Sequence, residues 1–168
     1  METSIRLYSL SYSEMRTYMM AALFVVCNLA LPQLFHLIPQ GGIIFAPLSL
    51  VILVGAYKLG WRTALLAAVA SPIVNHLLFG QPTAEVMTLM AIRLSLLAVI
   101  AGLTAQHFKQ VSLLLLVGVV LASELLGGLA EFILTGGIAA TVQDFTIGWP
   151  GLLLQVLGTY GILNLWKN

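Results

Sequence analysis

From residue 15 to residue 166 the chain is a series of apolar runs, each about as long as a bilayer is thick. Glycines, prolines or a few polar residues separate each run from the next. A helix needs roughly 20 mostly apolar residues to cross a membrane. Six runs qualify, at 15–35, 42–57, 61–79, 86–106, 110–134 and 147–166. Inside a bilayer every backbone N–H and C=O must be paired internally, which leaves helices and closed barrels. Runs of this length select the helix. The sequence therefore predicts an all-α membrane protein, a six-transmembrane-helix bundle, in a single integral membrane domain over 1–168, with 1–14 as a candidate inner-surface segment. The second run is short and opens at Gly41-Gly42, and the third contains Pro72, which is expected to kink it or mark its outer end.

Composition excludes a soluble protein. Only 8% of residues are charged and 60% are hydrophobic, with mean hydropathy +1.04; a soluble domain is about 25% charged. The formal charge of +1 gives no basis for a nucleic-acid partner. Cys27 is the sole cysteine and sits in an apolar run, so no disulfide framework or cysteine metal site is expected. Neither a metal nor a cofactor is predicted. Residues 18–31 could pass for the core of a signal peptide, but Asn28 fits a cut after Ala30 poorly and Pro32 follows. The segment reads as a retained first helix.

Orientation follows from lysine and arginine. Arg6 and Arg16 precede the first span, Lys58 and Arg62 fill the turn between the second and third, Lys109 separates the fourth and fifth, and Lys167 follows the sixth. The loops at 36–41, 80–85 and 135–146 have neither residue. Both termini are thus expected inside. Tyr57, Trp61 and Trp166 fall at inner span ends and Trp149 at an outer one, where amphipathic rings favour the interface.

The remaining basic residue, Arg93, lies within the fourth span, and the fifth carries Glu124 and Glu131 on one helix face, seven residues apart. A charge at the bilayer centre costs about 2.5–3.5 kcal/mol even on the lenient scale, so this trio needs a reason. At ~1.5 Å per residue, Arg93 is roughly 10 Å below the outer surface, Glu131 about 5 Å and Glu124 about 15 Å. Asn75 and His76 fall near the outer end of the third span, Asn28 near that of the first with His36 just beyond, and Gln155 about 12 Å down the sixth. The inner half holds little beyond Asn164 and Gln106. A pore would need polar lining throughout its length; a binding pocket open to the outside would not. The candidate substrate-binding residues are His36, Asn75, His76, Arg93, Glu124, Glu131, Trp149 and Gln155.

Each has a plainer reading. Arg93 with one glutamate could form a structural ion pair, His36 could be a surface residue, Asn75-His76 a helix end, Gln155 an interhelical contact and Trp149 an interface anchor. Two arrangements remain open. Arg93 pairs with Glu124, leaving Glu131 to meet a cationic or donor group; or Arg93 is free to take a ligand carboxylate bidentately. The first is favoured, because an unpaired arginine at this depth is costly in the empty state. Residues 32–42 and 135–149 are outer loops too apolar for solvated linkers, each with a Gly-Gly pair, as expected of lids that fold over something.

Several local patterns resemble the substrate-binding S components of energy-coupling factor (ECF) transporters. These are Leu-Phe-His-Leu-Ile-Pro-Gln-Gly-Gly-Ile-Ile-Phe-Ala-Pro ahead of a short second helix, Ser71-Pro72…Asn75-His76-Leu77-Leu78-Phe79-Gly80-Gln81-Pro82 closing the third, and Gly148-Trp149-Pro150-Gly151-Leu152-Leu153-Leu154-Gln155 opening the last. The resemblance covers residues 20–166. It implies a multi-pass subunit in the bacterial plasma membrane that binds a vitamin or similar micronutrient at the outer face. The partners implied are an ECF module of one transmembrane coupling protein and two cytoplasmic ATPases. It implies no enzyme activity in the chain itself, in keeping with the lack of a GxxxxGK[ST] phosphate loop and of HExxH or GxSxG spacings. Many such proteins dock through Ala-xxx-Ala in the first helix. Here the stretch is Ala22…Val26…Ala30, with Val26 interrupting the small residues, while Ala64…Ala68 has the right spacing in the third span. The competing readings are a stand-alone ion- or proton-coupled carrier or channel, and an intramembrane enzyme.

Overall fold

The computed structural model describes residues 3–4, 10–35 and 47–166. Among them are seven helices: α1 (Met15–Phe35), α2 (Pro47–Leu59), α3 (Trp61–Phe79), α4 (Ala84–Phe108), α5 (Leu113–Thr135), α6 (Ala139–Thr146) and α7 (Trp149–Leu165). Two short strands, β1 (Thr3–Ser4) and β2 (Gln110–Val111), pair antiparallel. Helices α1, α3, α4 and α5 are long and apolar enough to cross a membrane, and α6 with α7 forms a pair bent by 69° that together reaches that length. The chain is an all-α membrane protein.

The first and third spans have the ends read from the sequence, and the fourth is longer by two residues at each end. The second was expected from residue 42; its helix is described from Pro47, and residues 42–46 lie outside the described residues, as do His36 and most of the 32–42 loop. The larger difference is in the 135–149 loop, which contains the helix α6. Its sequence, Ala-Ala-Thr-Val-Gln-Asp-Phe-Thr, has no proline or glycine to oppose a helix.

Helix α2 is the centre of the bundle, packed by α1, α3, α4 and α7. Every residue from Val51 to Leu59 is buried. An apolar helix with no polar face is what such an enclosed position requires. At 13 residues it is only about 20 Å long. Small residues bring α3 and α4 together: Ala64, Ala67 and Ala68 from one, Ala98, Ala101 and Ala105 from the other, are all buried. The closest approach is at Gly102, where a Cβ would lie 2.5 Å from the Trp61 backbone nitrogen. No other residue fits there.

Among the described residues, the lysines and arginines other than Arg93 fall at one end of this bundle. Lys58 Nζ donates to the Trp166 carbonyl at 2.6 Å and lies 5.3 Å from the Trp166 ring centroid. The Arg62 guanidinium lies over both Trp61 and Tyr12, at 5.1 and 5.8 Å. Leu10 N–H donates to Leu59 O, and Glu14 accepts from Ser11 N–H to hold the turn into α1. Residues 10–14 are thus docked on the basic end. Thr17, Lys58 and Thr63 are buried in this half, which is therefore more polar than the sequence reading had it. Around the bundle, Leu114, Leu125, Ile133 and Leu165 are more than half exposed, a surface suited to lipid and unsuited to water.

Candidate functional site

At the opposite end, α4, α5 and α6 meet through ionic groups. Arg93 comes from the third turn of α4, and its Nη2 donates both to Glu124 Oε2 on α5 and, at 2.5 Å, to Asp144 Oδ2 on α6. The three side chains are 16, 14 and 28% exposed, so the pairs are partly shielded from solvent. Gly127 makes room for the arginine: a Cβ there would stand 3.1 Å from Arg93 Cγ and Nε.

Glu131 has a different task. Helix α6 is preceded by Ile138, which offers no capping side chain, and the first N–H groups of a helix need acceptors. Glu131 supplies them from the preceding helix. Its Oε1 accepts from Ala140 N–H at 2.7 Å, and its Oε2 accepts from Thr141 N–H at 2.9 Å and Thr141 Oγ1 at 2.7 Å. A carboxylate also suits the positive end of the helix dipole. Gly128 permits the approach, since its Cβ would sit 2.8 Å from Thr141 Oγ1. The adjacent glycines thus clear space for two different partners. Gly136, at φ 74°, closes α5, and at Gly148, beside the Asp144 backbone, the chain turns from α6 into α7.

The expectation that pairing Arg93 with Glu124 would leave Glu131 to meet a ligand therefore needs revision. Arg93 does pair with Glu124, but the Glu131 oxygens are already served by three donors of α6. Asp144 was not among the candidates. Its signal was present, since it is the only charged residue in the 135–149 loop.

The other candidates fall elsewhere. Asn75 joins Asn28 and Ser71 in the seam between α1 and α3: Asn28 Nδ2 donates to Ser71 Oγ at 2.9 Å, Ser71 Oγ to Ala67 O at 2.6 Å, and Asn75 Nδ2 to Asn28 O at 3.2 Å. All three are buried, and Asn28 Oδ1 has no partner among the described residues. His76 Nδ1 donates to the Pro82 carbonyl at 2.7 Å, tying the end of α3 to the turn that leads into α4. Gln155 is 1% exposed on α7, and its Oε1 is without a partner among the described residues. Trp149 is exposed at the start of α7. The structure thus brings together Arg93, Glu124 and Glu131, and keeps Asn75 and His76 in separate contacts.

An apolar groove of about 490 Å³ runs between α3 and α4, lined by residues including Val69, Ile73, Ala91, Ile92 and Val99. None of the ionic residues lines it. Its hydroxyls are turned inward: Ser95 Oγ donates to Ala91 O and Thr88 Oγ1 to Ala84 O. The chemistry available at the ionic end is charge pairing and hydrogen bonding. Among the described residues, no three His, Cys, Asp or Glu side chains are grouped to hold a metal.

Comparison with known proteins adds no relative: no family model, no curated protein and no solved structure matches the chain.

Proposed function

We propose that this protein is the substrate-binding subunit of an ECF-type importer, capturing a vitamin-like small molecule at the outer face of the bacterial plasma membrane. In this reading the bundle has six spans with both termini inside. The second span contains α2, and the sixth is α7, with α6 lying across its outer end. An ECF module of one coupling protein and two ATPases supplies the energy. The resemblance of the 71–82 and 148–155 stretches to S components supports it, as does the gathering of lysine and arginine at one end.

The observation that carries the reading is the ionic cluster itself. Arg93, Glu124 and Asp144 come from three helices to one point at the end opposite the basic residues, with α6 fastened over α5 by Glu131. Charged groups within a membrane bundle mark substrate or ion sites by default. The α1 face also fits a partner. Ala22, Val26 and Ala30 are exposed along it, whereas Ala64 and Ala68 are fully buried and are not available for docking.

The test is native mass spectrometry of the purified protein for a retained small molecule, joined to uptake in cells with and without a coupling module. Uptake that needs the module is expected. Uptake in its absence would favour the stand-alone carrier, for which two carboxylates on one guanidinium are a ready proton relay.

A further inference from the structure

At the basic end, a group of hydrogen-bond donors is gathered without an acceptor. Helices α1 and α3 begin here and α4 and α7 end here, so this is the level of the lipid headgroups. The Arg62 guanidinium lies 5.1 Å from the Trp61 ring centroid and 5.8 Å from that of Tyr12, within cation–π range of both. The two rings meet edge to face at 6.2 Å. Stacking engages the flat faces of a guanidinium and leaves its five N–H donors in the plane for another partner. Among the described residues, neither those donors, nor Trp61 Nε1–H, nor the Tyr12 hydroxyl makes a hydrogen bond or an ion pair. Guanidinium and indole can only donate.

The group is held in place. Trp61 is pressed against α4, where a Cβ on Gly102 would lie 2.5 Å from both the Trp61 Cβ and its backbone nitrogen. Tyr12 sits in a segment fixed by three hydrogen bonds. Leu10 N–H donates to Leu59 O at 3.2 Å, Ser11 N–H to Glu14 Oε1 at 3.1 Å, and Thr17 Oγ1 to Ser11 O at 2.5 Å. The charge at this end is one-sided. Among the described residues it carries Arg16, Lys58, Arg62 and Lys109 against the single acid Glu14, which is turned to Ser11. Prepositioned donors, a positive field and headgroup depth are together met by an anion whose several oxygens lie at the membrane surface.

The geometry points to a seat for the phosphate of an anionic phospholipid, with Arg62 gripping it in the guanidinium plane and Trp61 and Tyr12 orienting the arginine. The lipid belongs to the leaflet facing the basic end. Because Tyr12 precedes α1 and Trp61 opens α3, a bound headgroup also fastens the 10–14 segment to the bundle. This inference is independent of the ionic cluster at the opposite end and of the substrate-binding reading.

The experiment titrates the full-length, delipidated protein in detergent with phosphatidylglycerol, with phosphatidylcholine and with inorganic phosphate, and counts adducts by native mass spectrometry. One phosphatidylglycerol should be held about tenfold more tightly than phosphatidylcholine. Arg62→Gln should weaken it about tenfold, and Arg62→Lys, which keeps the charge but not the planar fork, severalfold. Lys109→Gln, at the same end but outside the ring contacts, should bind as the wild type does. Thermal unfolding without lipid checks that each variant is folded; if Arg62→Gln is not, Arg62→Lys carries the test. Undiminished binding in the folded Arg62 variant overturns the inference. So does an equal loss in Lys109→Gln, which would reduce the effect to diffuse attraction. Phosphatidylcholine held as tightly as phosphatidylglycerol, or inorganic phosphate bound as tightly as the lipid, overturns it as well.

Discussion

Arg93 in α4 and Asp144 in α6 meet at 2.5 Å, and this contact ties a membrane-crossing helix to a short helix in the loop between α5 and α7. Because Glu124 shares the same guanidinium nitrogen, removing the arginine strands two carboxylates at once. Breaking a shielded ion pair from one side costs about 3–5 kcal/mol, and the partial exposure here places the cost at the lower end. Arg93→Ala should lower the thermal midpoint markedly, measured by unfolding in detergent. An unchanged midpoint would mean that the pairs contribute nothing to stability.

Glu131→Gln tests the cap on α6. The amide keeps the shape but loses the charge, and one of its two positions becomes a donor facing the donors of Ala140 or Thr141. Hydrogen bonds to a charged group contribute about 1.5–3 kcal/mol. Faster hydrogen exchange at the amides of 140 and 141 is expected as α6 loosens. Unaltered exchange at both amides would remove Glu131 from this role.

Gly128→Ala should have a similar effect by another route. Its Cβ would stand 2.8 Å from Thr141 Oγ1, so the threonine must move away from Glu131. Overpacking of this kind costs about 1–3 kcal/mol. Gly118→Ala, at a site with nothing within 4 Å, is the control and should be neutral. Equal midpoints for the two variants would contradict the close approach of α5 and α6.

Topology can be read by labelling. In a Cys27→Ser background, a cysteine at exposed position 139 at the start of α6 should react with an impermeant reagent added to intact cells. A cysteine at exposed position 107 at the end of α4 should not. The reverse pattern would invert the assignment of inside and outside.

Much of this architecture is legible in the sequence, because a bilayer sets the length of a span and backbone satisfaction sets its type. The ends of α1 and α3 coincide with the ends of the apolar runs at 15–35 and 61–79. Helix α6 was not legible: its eight residues are amphipathic and short, and its start depends on an acceptor, Glu131, supplied by another helix. The pairing of Arg93 with Glu124 could be expected, because an unpaired arginine within a span is costly. Asp144 could not, since depth along a span says nothing about how a loop folds back. The Asn28–Ser71–Asn75 seam was equally hidden, because its three polar side chains turn toward one another rather than toward a shared site.

The shortness of α2 has a consequence for the whole bundle. A bilayer thins to suit a short helix only where lipid touches it, and α2 from residue 51 to 59 is sheathed by its neighbours. The shortfall between its ~20 Å and a hydrocarbon thickness of ~30 Å is therefore an internal matter. It falls at the Pro47 end, the same end as Arg93 and its acids.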